Sequence, residues 1–448
     1  MASLSRAAVT ALILSLPGAA MAQVFDTPAP FDANVSLSGP DRGAVVPGAT
    51  VSVSGQGFVA GQDVRLLRGA EVLTTLTADG EGAIAWSFEL PADAALGLHP
   101  IVVQTEGPDS ASVVELKVSP DLALTGAEAY DEKTAQFARG LYQVAHSAAN
   151  GTIFTASAVG RPPVEVSQIT KLDADTLEVL AEVTPDDASR GVFAVYGIAV
   201  DDAHGNVWTT NTRQNTVAVY AQDDLSLVKQ FPEDTVGHPR DVVIDSANNR
   251  AYVSTSFTGE IVVFDTETLD AVEPLNVGSD VRRGTFGAMA LELDAQNGQL
   301  YTVSRSTPEV ARIDLATGEI TLLAAPIISG TGVTVDPATG TIYVAGGQSD
   351  NVVGLSAEGE VLFDSKVGSF PLNLAFDALN GQVFSSNRMS GTLTALNGQT
   401  GEVEAVLNGG TFPNYLDVLE DGTVLAVNKS RGEEDPEGDI LRAITPKQ

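Results

Sequence analysis

Residues 197–211 read Gly197-Ile198-Ala199-Val200-Asp201-Asp202-Ala203-His204-Gly205-Asn206-Val207-Trp208-Thr209-Thr210-Asn211. Two short apolar runs flank a turn rich in Asp, Gly and Asn, which is the signature of a β-hairpin. The same grammar returns along the chain. The turns Ala247-Asn248-Asn249-Arg250, Gln296-Asn297-Gly298-Gln299, Ala338-Thr339-Gly340-Thr341 and Leu379-Asn380-Gly381-Gln382 each lead into an aromatic strand, and Asp201, Asp245, Asp294, Asp336 and Asp377 open the five turns. The aromatic column runs Phe154, Trp208, Tyr252, Tyr301, Tyr343, Phe384, with Leu425 in the seventh place, at intervals of 54, 44, 49, 42, 41 and 41 residues. That spacing is the blade length of a four-stranded propeller repeat. Seven repeats are countable over residues 141–448, so the fold class is all-β, a seven-bladed β-propeller.

Within a repeat, an inner strand such as Gly197-Ile198-Ala199-Val200 precedes the tight turn and the aromatic strand; a polar loop and a third strand such as Val217-Ala218-Val219-Tyr220 follow. An acidic turn and a fourth strand complete the unit. The last repeat offers only three strands, around Tyr415-Leu416-Asp417-Val418, Val424-Leu425-Ala426-Val427 and Ile440-Leu441-Arg442-Ala443-Ile444. Its open edge needs a partner. Residues 132–139, at the end of a 119–140 linker, are the predicted ring-closing strand.

Upstream, residues 35–118 alternate apolar and polar with closely spaced turns, as in Val51-Ser52-Val53-Ser54-Gly55, Val64-Arg65-Leu66-Leu67, Val72-Leu73-Thr74-Thr75-Leu76 and Ile101-Val102-Val103-Gln104. They predict a small Ig-like β-sandwich, with Trp86 in its core. Residues 23–34 are a short lead. Residues 1–22 carry Arg6, the apolar run 7–16 and the frame Ala20-Met21-Ala22, a secretory signal cleaved after Ala22. About ten apolar residues are too few to span a bilayer. The expectation is therefore a soluble periplasmic protein without membrane insertion, release outside the cell being the alternative.

The propeller residues resemble the YncE-like, YVTN-repeat propellers of exported bacterial proteins. Variants of the name-giving tetrapeptide are Trp208-Thr209-Thr210-Asn211, Tyr252-Val253-Ser254-Thr255, Tyr343-Val344-Ala345-Gly346 and Phe384-Ser385-Ser386-Asn387. The stretches LYQVAHSAANGTIFTASAVGRPPVEVSQITKLDADTLEV and TFPNYLDVLEDGTVLAVNKSRGEEDPEGDILRAI carry the rest of the likeness, which covers residues 125–448. The resemblance implies periplasmic binding or scaffolding and no established catalytic motif. The Ig-like module lies outside it.

Composition narrows the chemistry. Lys plus Arg is 24 against 58 Asp plus Glu, a net charge of −34, with four His and no Cys. Duplex DNA is excluded as the main partner, and so are thiolate metal sites and cysteine nucleophiles. In the propeller register, Arg161, Arg190, Arg213, Arg240, Arg282, Arg283, Arg305, Arg388, Lys429 and Arg431 fall on loops of one face, while the opposite turns hold acids that read as turn caps. Cations converging on the channel mouth suit a small anionic molecule or peptide. Asn211, His238 and Asn414 join Arg213, Arg240, Arg282, Arg283, Arg305, Arg388 and Lys429 as the candidate ligand-binding set. Asn211, Asn387 and Asn428, at corresponding strand ends, also fit a structural role. Ordinary pairing of the Arg residues with Asp241, Asp280, Asp350 and Glu433-Glu434-Asp435 is the competing account.

No G-x-S-x-G elbow, H-E-x-x-H motif, C-x-x-C motif or P-loop occurs. A non-catalytic, monomeric binding or scaffolding protein without cofactor is the expectation, its partner a small anion, a peptide or an envelope protein. Two alternatives stay open. One is a metal- or quinone-dependent propeller enzyme, lactonase-like or oxidoreductase, with Asp241, Asp280 and Asn414 as conceivable ligands. The other is single-stranded nucleic acid on the Arg face, with Phe257, Phe286, Phe370, Phe412 and Tyr415 as stacking candidates.

Overall fold

A computed structural model describes residues 29–447; the expected signal sequence, residues 1–22, and the start of the lead lie outside the described residues. The chain forms two compact units, one from residues up to 38, 50–88 and 99–116, the other from 39–49, 89–98 and 117 onward. The predicted 35–118 boundary is thus interrupted. Residues 39–49 count with the second unit, where the Ala44 amide donates to the Met389 carbonyl at 3.3 Å.

The strands of the first region form two antiparallel sheets. Asn34–Ser38, Thr50–Gln56 and Ile84–Glu89 make one; Glu71–Thr77, Asp63–Arg68, Gly97–Glu106 and Ser110–Val118 make the other. Thr50–Gln56 alternates exposed and buried residues along its whole length, the period of a strand with one dry face. Val51, Val53, Val64, Leu66, Ile84, Ile101, Val103 and Leu116 are among the buried positions. Trp86 is half-buried and stacks on Phe88 at 4.7 Å rather than joining these core residues.

The second unit is built from four-stranded antiparallel sheets in simple meander order. Their first strands are Leu141–Ser147, Val195–Asp201, Val242–Asp245, Ala288–Asp294, Gly330–Asp336, Pro371–Asp377 and Pro413–Val418. Each first strand contacts the next, and the seventh contacts the first. Apolar cores lie between neighbouring sheets. Trp208 of the second sheet meets Phe264 of the third at 5.7 Å, and Tyr343 of the fifth stacks on Phe376 of the sixth at 5.4 Å. The cluster of Leu141, Val144 and Ile153 with Leu425, Val427 and Leu441 joins the last sheet back to the first. A ring of sheets with its cores in the seams is a propeller.

The seventh sheet takes its outer strand from far upstream. Tyr130–Gln136 pairs antiparallel with Ile440–Pro446, Thr134 opposite Arg442. Arg442, 4% exposed, ties the closure: Nε meets Glu132 at 3.2 Å, Nη2 meets Glu437 at 3.8 Å, and Nη1 donates to Asn428 Oδ1 at 2.8 Å.

The acidic turns are capped internally. Asp245, Asp294 and Asp377 accept both the backbone amide and the side-chain Nδ2 of Asn248, Asn297 and Asn380. This is the Asx-turn chemistry that makes Asp the opening residue of each turn. No cluster of three or more His, Cys, Asp or Glu capable of holding a metal occurs among the described residues, and no helix among them is long and apolar enough to cross a membrane.

Candidate functional site

The loops that lead into the first strands and those that leave the second strands surround a cavity of about 280 Å³ at one end of the channel. Its wall obeys the repeat. Tyr142, Tyr196, Arg240, Met289 and Thr331 each sit twelve residues before the aromatic column; His238, Ser329 and Phe370 sit fourteen before it. Thr212, Ser256 and Arg305 follow the column by four residues, and Arg213 and Gln348 by five. Equivalent positions of different sheets converge because the sheets share one axis.

Aromatic faces hold the cations. Arg240 lies 5.5 Å from the centre of the Tyr142 ring and donates from Nη1 to its hydroxyl at 2.8 Å. Arg213 lies 5.6 Å from Tyr196 and donates from Nε to that hydroxyl at 3.2 Å. The two tyrosines meet edge to face at 4.7 Å. Behind them Lys429 Nζ stands 4.8 Å from the Tyr142 ring and 5.7 Å from the Tyr196 ring. Arg305 covers Phe257 at 4.9 Å, and Phe412 is flanked by Arg388 at 5.1 Å and Arg431 at 5.2 Å. A π face fixes a cation without cancelling its charge.

Carboxylates are elsewhere. Among the described residues, Arg213, Arg240, Arg305, Arg388 and Lys429 form no salt bridge with a carboxylate. Asp350 pairs with Lys117 at 2.5 Å and Glu433 with Arg139 at 2.6 Å. Asp241 is buried beneath the mouth, where Oδ1 accepts from Gln143 Nε2 at 3.1 Å and Oδ2 from the Leu291 amide at 3.0 Å. The Asp280 backbone amide donates to Glu309 Oε1 at 2.8 Å.

The electrostatics record this crowding of positive charge. Burial, then Arg213, Arg305 and Arg240, push the His238 imidazole below its usual value. Burial pushes Lys429 down to about 8, Tyr142 opposing and Arg388 reinforcing the shift. Burial pushes the Tyr142 phenol up, yet Arg240, Lys429 and Arg388 outweigh it, and the phenol ends below its usual value.

Beneath the cavity, side chains stitch the first strands together. Gln143 Oε1 accepts the Ile198 amide at 2.9 Å, Asn373 Oδ1 accepts the Leu416 amide at 2.8 Å, and Asn414 Nδ2 donates to the Tyr142 carbonyl at 2.6 Å. Deeper still, burial pushes Glu292 up to about 8 and Asp417 up to about 6.

Of the candidate set, Arg213, His238, Arg240 and Arg305 line the cavity. Lys429 and Arg388 stand behind it. Asn414 braces Arg388, its Oδ1 accepting from that guanidinium, while Lys429 Nζ donates to the Ala158 carbonyl at 3.3 Å. The structure corrects two placements. Asn211 is fully buried at the end of its strand, with Nδ2 donating to Gln230 at 3.3 Å, so it faces the blade rather than the channel. Arg282 and Arg283 are exposed on the loop after the third sheet and do not line the cavity, because that loop leads outward before the chain returns to the channel. Asn387 and Asn428 are likewise buried and internally bonded. Phe286 belongs to the core between the third and fourth sheets. Tyr142, Tyr196 and Ser256 were not singled out from sequence, although Tyr142 and Tyr196 share the 54-residue interval of Phe154 and Trp208.

The fold and this cationic mouth define a channel-face site on a propeller, and comparison with known proteins agrees on the fold. No family profile matches the chain. It is 22% identical over 304 residues to "Uncharacterized protein YncE" of Salmonella typhimurium, covering 65% of this chain and 82% of that protein. The YncE of Salmonella typhi gives the same identity and coverage. Among solved structures, the Kuenenia stuttgartiensis hydrazine synthase superposes with a TM-score of 0.54 at 18% identity, over 65% of this chain and 93% of that one. Virginiamycin B lyase from Staphylococcus aureus gives a TM-score of 0.54 at 12% identity, over 70% and 99%. These likenesses support a YncE-like propeller and show the fold alone.

Proposed function

We propose that this chain is an exported periplasmic protein in which an Ig-like module precedes a seven-bladed propeller, and that the propeller face binds a small anionic ligand without catalysing its conversion. One observation carries the reading. Five cations, Arg213, Arg240, Arg305, Arg388 and Lys429, gather at the channel mouth on aromatic supports and pair with no carboxylate among the described residues. In a chain of net charge −34 with carboxylates in excess, neutralising partners were abundant. Leaving these cations unpaired keeps their charge for a ligand, at a cost in self-repulsion that binding repays.

The test is a thermal-shift titration of the purified protein with small carboxylates, phosphates and acidic peptides, beside the variant carrying Arg213→Ala, Arg240→Ala, Arg388→Ala and Lys429→Ala together. A ligand present at about 100 times its Kd stabilises by about 2.7 kcal/mol. The expected result is a shift in the parent that the quadruple variant loses. A shift kept by the variant places the ligand elsewhere, and no shift with any anion ends the proposal.

A further inference from the structure

We infer that the anion held at this mouth is a phosphate monoester in its doubly charged form, with the hydroxyls of Tyr142, Tyr196 and Ser256 donating to its oxygens. This rests on the anion-binding reading above and narrows it.

Hydrogen-bond direction at the two phenols sets the character of the ligand. A phenol has one proton to give and lone pairs to receive. Tyr142 Oη receives from Arg240 at 2.8 Å and Tyr196 Oη receives from Arg213 at 3.2 Å. The guanidinium contacts thus occupy acceptor sites and leave both phenolic protons to point elsewhere; neither has an acceptor among the described residues. Ser256 adds a third donor. It lines the cavity, is 2% exposed, and its Oγ has no hydrogen-bond partner among the described residues. Its backbone is held left-handed at φ 42°, a conformation that costs a non-glycine residue energy and gathers at functional positions.

The neighbouring threonine hydroxyls are already spent. Thr212 Oγ1 donates to the Pro239 carbonyl and Thr331 Oγ1 to the Pro371 carbonyl, both at 2.6 Å. The free polar groups of the cavity are therefore weighted toward donors: three hydroxyls and the Arg213, Arg240 and Arg305 forks, beside Gln348, Ser329 and His238, which can each donate or accept. The complement is a group that only accepts and has many lone pairs, an oxyanion. A single carboxylate has two oxygens and would leave part of this set unmet, which is expensive for buried donors.

Charge then selects among oxyanions. Three guanidinium groups, Arg213, Arg240 and Arg305, line one cavity of about 280 Å³ and none pairs with a carboxylate among the described residues, so one negative charge leaves the cluster under-compensated. A phosphate monoester carries close to two charges at neutral pH. The cavity, about 280 Å³, admits a small ester. A long polyanion would extend over a surface whose overall charge repels it.

Isothermal titration of the purified protein with glycerol 3-phosphate, glycerate and inorganic phosphate at pH 7.5 tests the inference. Glycerol 3-phosphate is expected to bind at least about tenfold more tightly than glycerate, and Ser256→Ala and Tyr196→Phe are each expected to weaken it about tenfold. Thermal melts of both variants check folding, and Ser256→Ala suffices if Tyr196→Phe is unstable. Equal affinity for glycerate overturns the dianion assignment while leaving anion binding in place. Tighter binding of inorganic phosphate than of the ester assigns the free ion and overturns the ester. Unchanged affinity in a folded Ser256→Ala protein removes that hydroxyl from the site. Binding of none of the three overturns this inference; the wider anion reading falls only if carboxylates and acidic peptides also fail in the thermal-shift titration.

Discussion

The Arg240 guanidinium reaches the Tyr142 hydroxyl at 2.8 Å, and so links the loop before the third sheet to the first strand of the first sheet, past the intervening second sheet. Such a contact exists only where strands from non-adjacent sheets converge on a channel. It also sets the chemistry of the phenol. Seven of the eight tyrosines are pushed up by burial, and Tyr142 alone is drawn down, against its own burial, by Arg240, Lys429 and Arg388.

Tyrosinate absorbance followed during alkaline titration is therefore expected to show one phenol ionising before the rest. Arg240→Ala removes the largest of the three stabilising charges and its hydrogen bond. The early step is expected to move to higher pH in that variant and to vanish in Tyr142→Phe. An early step that survives Tyr142→Phe would assign it to another tyrosine and undo this account of the mouth.

Lys429 yields a trade between stability and binding. Its ammonium is pushed down to about 8 from 10.5 by burial. A cation depressed on folding is disfavoured in the native state, so the unfolded chain binds more protons between about pH 8 and 10.5 and stability rises with pH across that window. At pH 7 the penalty is fully present. After discounting for its partial exposure, Lys429→Met is expected to raise stability by about 1 kcal/mol at pH 7, with the gain shrinking above pH 9. Urea melts at the two pH values measure it. Anion binding should weaken in the same variant, the usual cost of relieving strain at a site.

How far the sequence reached follows from periodicity. The aromatic column and the Asp-opened turns are local signals, one per repeat, and they place the second strands at Trp208, Tyr252, Tyr301, Tyr343 and Phe384 without long-range information. The cavity wall uses the same register, twelve residues before the column or four to five after it. Arg213, His238, Arg240 and Arg305 were legible because charge on a loop is conspicuous. Tyr142 and Tyr196 were not, because a tyrosine at the start of an apolar strand looks like core until its hydroxyl partner is known. Asn211 misled for the opposite reason. A polar residue at a strand end can face the channel or satisfy the blade, and only the register of Asn211 against Thr216 and its reach to Gln230 decide for the blade.

Closure of the ring depends on Arg442, which joins the upstream strand Tyr130–Gln136 to the C-terminal sheet through Glu132, Glu437 and Asn428. Arg442→Ala leaves Asn428 Oδ1 with only the Ile440 amide and removes the counter-charge of two half-solvated carboxylates, Glu132 and Glu437. Because those acids regain water, the loss is smaller than for a fully buried pair, about 2–3 kcal/mol. The unfolding midpoint in urea is expected to fall accordingly. An unchanged midpoint would show that backbone pairing alone holds the closure.

Glu292 carries the clearest pH dependence. Its carboxyl sits in the channel, accepts from Thr334 Oγ1 at 3.0 Å, and is pushed up to about 8 by burial, with the Asp417, Asp241 and Asp294 charges adding to the shift. A carboxyl whose folded value lies above its unfolded value binds its proton more tightly when folded. It is therefore neutral in both states below about 4.5, and it costs stability progressively as pH rises from there to about 8. Glutamine keeps the acceptor for Thr334 and cannot ionise. Glu292→Gln is expected to match the parent at pH 4.5 and to exceed it by about 1–3 kcal/mol at pH 8.5, the range reflecting partial hydration of the channel. Asp417, pushed up to about 6, ionises within the same window, and its repulsion with Glu292 is part of the difference between the two proteins. Paired urea melts across pH decide the matter: a difference that does not grow between pH 4.5 and 8 would show that the carboxyl titrates as an ordinary solvated glutamate.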